Sequence, residues 1–198
     1  MTLYSKNNQY PTPIPHRISL SDGRTRTDSS TFTTEEIEDA GYIAAPETPT
    51  VEPWQKIHWT GTEWQVEDQN IESLKREKHL QIDSFRDAQI YSQKTVTLST
   101  GQTIPVDIRR DKPDIQNLTN IVQKASIKLM RDQTDSIVFK AADNETYTLS
   151  PEEAVELGEL VFEQIENEYK QSWTLKAQLE ALTLSQEVYE LEVSWGTI

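Results

Sequence analysis

The run Ile137–Leu157, IVFKAADNETYTLSPEEAVEL, decides the fold class. Ile137-Val138-Phe139 and Tyr147-Thr148-Leu149 are short β-prone runs. Asp143-Asn144, residue types that tolerate a tight turn, lie between them, so the segment predicts a β-hairpin. The chain changes period at Ser150. Ser150 is placed as the N-cap, Pro151 occupies the first helical position with its fixed φ, and Glu153 completes a capping box. Ala154, Leu157, Val161, Ile165 and Tyr169 then recur at helical spacing, and Leu175, Leu179 and Leu182 carry the pattern on. Some 30 residues of helix would be about 45 Å long.

The same order occurs once more upstream. Thr95-Val96-Thr97-Leu98, a turn at Thr100-Gly101 and Ile104-Pro105-Val106 predict a hairpin. It leads to a helix opening near Pro113, with Ile115, Leu118, Val122, Ala125 and Leu129 on one face. Before this echo, Ile71, Leu74, Ile82 and Phe85 form a narrow stripe on a highly charged helix running to about Ile90. At the far end VYELEVSW, ending at Trp195, alternates at period two. It is read as a closing strand, with a short helix that tucks in Trp195 as the alternative.

The first third is different in kind. Pro11, Pro13 and Pro15 alternate, which biases the chain to extended conformations and removes three backbone donors. Arg17, Arg24 and Arg26 gather positive charge here in an otherwise acidic chain. Ile18-Ser19-Leu20 is a strand candidate followed by an Asp22-Gly23 turn. Thr33 and Glu36 fit a capping box for a short helix to Ala40, and Gly41 stands where a left-handed residue ends a helix. AAPETPTVEP, residues 44–53, has linker composition, and KIHWTGTEWQVE, residues 56–67, reads as a hairpin around Gly61. The fold class that follows is α+β. An extended N-terminal arm with a short helix (1–43) precedes a linker and Trp hairpin (44–68). A helix-rich module of two hairpin-plus-helix units with long helices (69–198) completes the chain.

Composition narrows the function. Nineteen Lys and Arg against 33 Asp and Glu give a formal charge of −14, which opposes a grip on nucleic acid. The absence of cysteine excludes disulfides and thiolate ligands. No basic, then apolar, leader opens the chain and no window approaches a membrane span, so neither export by a cleavable signal nor membrane insertion is expected. An apolar fraction of 35% is lean for one compact domain, as for a chain that leaves helix faces to partners.

Chemistry is hard to find. His16, His58 and His79 have no common spacing and read as surface or interface residues. Six glycines supply no phosphate-cradling loop, and no cofactor motif is present. Glu152, Glu153, Glu156, Glu159 and Glu163 read as the solvated face and acidic first turn of a helix, because nothing marks out one pair as acid and base. No metal site, cofactor or enzymatic activity is therefore expected. Two features point to partners instead. One is the arm, with Tyr10, Pro11, Pro13, Pro15, Arg17, Arg24 and Arg26; the other is Trp54 and Trp59 among the five tryptophans. Ile71, Leu74, Ile82, Phe85, Val161 and Ile165 are the candidate oligomer interface.

Two stretches carry a family resemblance. The run from Phe85 to Trp195, with Arg86-Asp87-Ala88, VDIRRDKPDIQNL, IVFKAADNETYTLSPEEAVEL and LKAQLEAL, resembles the uncharacterised domain at the ends of phage tail-fibre and tail-fibre-assembly proteins. NNQYPTPIPHRISLSDGRTRTDSSTFTTEEIEDAGY, with WQKIHWTGTEWQVED, is similar to leader regions ahead of that domain. Arg109-Arg110-Asp111-Lys112 departs in charge from the carboxylate-rich stretch usual there. The resemblance implies a virion tail component, made in the host cytoplasm, with no catalytic residues to transfer. The expectation is an adaptor or hinge between tail fibre and baseplate, homo-oligomeric, with a trimer favoured over a dimer because fibres are threefold. A tail-fibre assembly chaperone that is absent from the mature virion is the alternative.

Overall fold

Both capping boxes form, and they fix where the helices begin. In the computed structural model, which describes residues 2–108 and 114–195, the Thr33 and Ser150 hydroxyls each accept the backbone N–H three residues on. Glu36 and Glu153 accept the cap amides in return. The chain is α+β, with small β-hairpins followed by a helix-rich region. It divides into two compact units, Met1–Leu74 with Leu184–Tyr189, and Lys75–Thr183 with Glu190–Ile198. The arm and the Trp hairpin, expected as separate parts, thus fall in one unit.

In the first unit β1 (Leu3–Lys6) pairs antiparallel with both β2 (Thr12–Pro13) and β5 (Tyr42–Ala44), so the sheet order is β2-β1-β5. Between these strands come the hairpin β3 (Arg17–Ser19) and β4 (Thr25–Thr27), a 3-10 turn, and α1 (Thr34–Asp39). Ile18, Leu20 and Ala40 are buried together, with Ile14, Phe32 and Tyr42 against them. The stretch read as an extended arm therefore has strands and a small core of its own. Its β1–β5 pairing joins residues far apart in sequence, which local pattern does not report. The hairpin β6 (Gln55–Trp59) and β7 (Trp64–Asp68) forms as expected, with Trp59 opposite Trp64. The helix α2 (Ile71–Ile90) begins where the Asn70 side chain accepts the Ser73 amide.

The second unit contains the two hairpin-plus-helix repeats. The strands β8 (Lys94–Thr97) and β9 (Thr103–Val106) lead to α3 (Asp114–Met130). The strands β10 (Ile137–Lys140) and β11 (Thr146–Leu149) lead to α4 (Pro151–Ala181). Pro113 and Arg109-Arg110-Asp111-Lys112 lie outside the described residues. The Ala142 amide donates to the Pro105 carbonyl at 3.0 Å and ties one hairpin to the other. Alternate residues of each hairpin, among them Val96, Ile104, Val106, Ile137 and Phe139, share one core with Leu118, Ala125, Leu157 and Val161. At roughly 25 cal/mol per Å² of apolar surface, each fully buried Leu or Ile contributes about 2 kcal/mol. The helices α3 and α4 approach closely at Gly158, where a Cβ would collide with a Val122 methyl.

Three sequence readings need correction. The buried line of α4 does not run through Tyr169, which is exposed. It passes through Glu168 and Ser172 to Leu175 and Leu179, because each step of four residues from Val161 to Ile165 to Tyr169 overshoots a full turn by about 40° and so leaves the buried face. The last stretch is not a closing strand: α5 (Ser185–Glu190) is helical, and Trp195 is tucked in beyond it. Of the candidate oligomer interface, Leu74, Ile82 and Val161 are buried by their own chain, Ile82 and Val161 completely, so they are not an open seam. Phe85 stacks edge-to-face on Trp195 at 4.6 Å, Ile165 packs partly buried on the core, and Ile71 is half-buried.

Candidate partner-binding surface

Asn7 and Asn8 both take left-handed φ values, 54° and 61°, in the turn between β1 and β2. Asparagine is among the few residues that tolerate two such positions in succession. The Gln9 amide donates to the Lys6 carbonyl and the Ser5 hydroxyl to the Gln9 carbonyl, which fixes the turn and delivers Tyr10 outward. A second turn lies beside it. Gly61 has φ 109° and its position would bring a Cβ to 3.0 Å from that of Asn8. Glycine is required there both for conformation and for room.

These two turns build an aromatic surface. The Tyr10 ring meets Trp64 edge-to-face at 5.2 Å, and Trp64 meets Trp59 in the same manner at 5.1 Å. Such edge-to-face pairs add about 0.5–1.5 kcal/mol beyond burial. Trp64 is held from its edge, since its Nε1 donates to the Pro46 carbonyl at 3.0 Å. The Trp59 Nε1 is buried without an acceptor among the described residues. By strand alternation Ile57 and Val66, a directly opposed pair, lie on the same hairpin face as the two tryptophans. Tyr10 is 62% exposed and Val66 42%, so one side of this apolar face is open to solvent. The opposite face is polar: Lys56 donates to Glu67 at 3.0 Å and holds its carboxyl below the ordinary range.

Of the residues singled out from sequence, the structure brings Tyr10 and Trp59 together through Trp64. It disperses the others. Pro11 is buried and Pro13 is paired in the β1–β2 ladder, while Pro15 is exposed. Arg17 lies exposed on β3. Arg24 turns back on Asp22, whose carboxyl is held low first by the Arg24 amide and then by its guanidinium. Arg26 pairs with Glu36 at 2.9 Å. Trp54 packs instead on Tyr189 at 6.1 Å. The arginines thus brace the local fold more than they form a shared patch. Asn7-Asn8 was the sequence signal for this surface that the reading of prolines and arginines missed.

Other polar groups have partners of their own. Glu153 completes a cap, and Glu156 accepts the Ser99 amide at 2.6 Å and its hydroxyl at 2.9 Å. His79 contacts Glu180 at 2.6 Å. Among the described residues no cluster of three acidic or histidine side chains could hold a metal ion, and no helix is long and apolar enough to cross a membrane. Residues 73–193 match the model of a family described as a domain of unknown function, DUF4376. The match covers more than half of the chain, and the protein belongs to this family. No curated protein and no solved structure matches the chain.

Proposed function

We propose that this member of the family is a non-catalytic structural component of a bacteriophage tail, an adaptor or hinge that fastens the tail fibre to the baseplate. The observation that carries this reading is the open aromatic face of Tyr10, Trp59, Trp64 and Val66, built on a unit distinct from the helical one. An adaptor must bind two neighbours, and the division of the chain into two compact units supports that reading. Aromatic side chains with rigid neighbours are the usual anchors of protein interfaces, since little side-chain entropy is lost on docking. The resemblance of the sequence to tail-fibre proteins supplies the partner class, and the charge of −14 favours protein partners over nucleic acid. In this reading the chain is made in the host cytoplasm, works without a cofactor and assembles as a homo-oligomer, a trimer before a dimer.

The second reading, an assembly chaperone that leaves before the particle is complete, rests on the same resemblance. Quantitative mass spectrometry of purified particles and of infected-cell lysate separates the two. Stoichiometric presence beside the fibre protein is expected for the adaptor. Abundance in lysate with absence from particles would overturn it in favour of the chaperone.

A further inference from the structure

The two hairpin-plus-helix repeats end in helices whose outward faces carry the same pattern with opposite charge. On α3 the exposed face runs Lys124, Ile127 and, one residue past the helix, Arg131. On α4 it runs Glu159, Phe162 and Glu166 at the same intervals. Set side by side in parallel, the helices place Lys124 with Glu159, Ile127 with Phe162 and Arg131 with Glu166. Every cation meets a carboxylate and the apolar residue of each face meets that of the other. The match covers roughly 10 Å of helix axis.

Neither face is covered within its chain. Ile127 is 46% exposed and Phe162 38%; Met130 at 77% adjoins the α3 face, and Trp173 at 59% lies three turns further along α4. A furrow of about 410 Å³ lies along the α3 face between Lys124, Ile127 and Arg131. Lys128, only 13% exposed, is committed to Asp135 at 3.0 Å, whereas the tie at the contact itself, Glu166 to Lys170 at 2.9 Å, joins exposed side chains. Such exposed pairs are worth less than about 1 kcal/mol and can be exchanged for others.

We propose that the α3 face of one copy docks on the α4 face of another, so that this chain assembles through a contact between its two unlike repeats. The contact gives the oligomer of the proposed function its interface, and rests on that reading in taking the occupant to be a second copy. Charge sign selects that occupant. Like faces repel, basic against basic and acidic against acidic, whereas the basic face of α3 is complementary in charge to the acidic face of α4. A contact between different patches is heterologous, which closes into a ring when the rotation permits.

The test is charge reversal on the full chain, read by sedimentation equilibrium, with circular dichroism confirming helix content. Lys124→Glu with Arg131→Glu, and separately Glu159→Lys with Glu166→Lys, should each weaken association roughly tenfold or more. All four together restore both the net charge and the contact, and should return association to within about threefold of wild type. A wild-type chain that stays monomeric would overturn the proposal, as would reversed variants that associate unchanged, or a fourfold variant that folds and remains dissociated. The particle inventory is independent of this result. A chain absent from particles but associating through these faces defeats the adaptor and leaves the contact standing; a monomer present in particles does the reverse.

Discussion

Gly158 on α4 lies so close to Val122 on α3 that a methyl group at Gly158 would overlap a Val122 side-chain methyl. Glycine inside a long helix ordinarily costs about 1 kcal/mol relative to alanine. Here that cost is offset by close approach of two helices that share a core. Gly158→Ala is therefore expected to destabilise the chain by about 1–2 kcal/mol despite its better helix propensity, because overpacking outweighs it. Adding Val122→Ala should recover part of the loss. Urea denaturation of the two variants checks both signs; a stabilising Gly158→Ala would refute the close packing.

Glu168 and Lys94 form a buried pair at 3.6 Å, with side chains 11% and 8% exposed, and Glu168 also accepts the Trp195 Nε1 hydrogen at 2.7 Å. Removing one partner of a buried pair leaves the other charge without compensation. Lys94→Met is expected to cost about 3 kcal/mol, and Lys94→Met with Glu168→Leu considerably less. Chemical denaturation measures the cycle. Trp195 fluorescence should report release of the indole in the Glu168→Leu single variant.

Asp83 accepts from Lys176 at 2.7 Å and from Arg86 at 2.6 Å. The Lys176 hydrogen bond first, and then the nearby charges, hold its carboxyl below the ordinary 3.8. A carboxyl depressed in the folded state contributes stability that is fully present above its unfolded value and is lost as pH falls through its folded one. The stability gap between wild type and Asp83→Asn should thus be constant near neutrality and shrink as pH falls below 3.8. Urea titrations at a series of pH values read the gap directly. A gap that widens towards acid would contradict the ion pairing.

Tyr10 offers a test of the aromatic surface that spares the core, since its ring is mostly exposed. Tyr10→Ala should leave unfolding within about 1 kcal/mol of wild type, as exposed truncations do. If the proposed docking is correct, incorporation into particles should fall, consistent with loss of an aromatic anchor worth about 2 kcal/mol, or roughly 30-fold in affinity. Incorporation equal to wild type would remove this face from the reading.

Gly61→Ala strains the neighbouring turn. With φ at 109° and Asn8 3.0 Å from the added Cβ, it should destabilise by about 1–2 kcal/mol. Trp59 and Trp64 fluorescence should change with it, since the same turn joins their strands.

Sequence alone determined what depends on residues near one another in the chain. The capping boxes at Thr33 and Ser150, the hairpin around Gly61, the two hairpin-plus-helix repeats and the span of α2 each rest on local hydrogen bonds or a short period. What tertiary structure decided is which faces close on which. The β1–β5 pairing turned the proline-rich arm into a folded sheet edge, and left Tyr10 on Trp64 while Arg26 went to Glu36. Packing carried the buried line of α4 onto Glu168 and Ser172, residues that a hydrophobic pattern passes over: the Glu168 carboxylate finds Lys94 and Trp195 only in three dimensions, and the Ser172 hydroxyl donates to the Tyr169 carbonyl of its own helix. It also took Ile82 and Val161 out of reach of any partner and left Phe162 and Trp173 outside. Periodicity says that a helix has an apolar stripe, but burial depends on contacts distant in sequence, and those are fixed only when the chain has closed on itself.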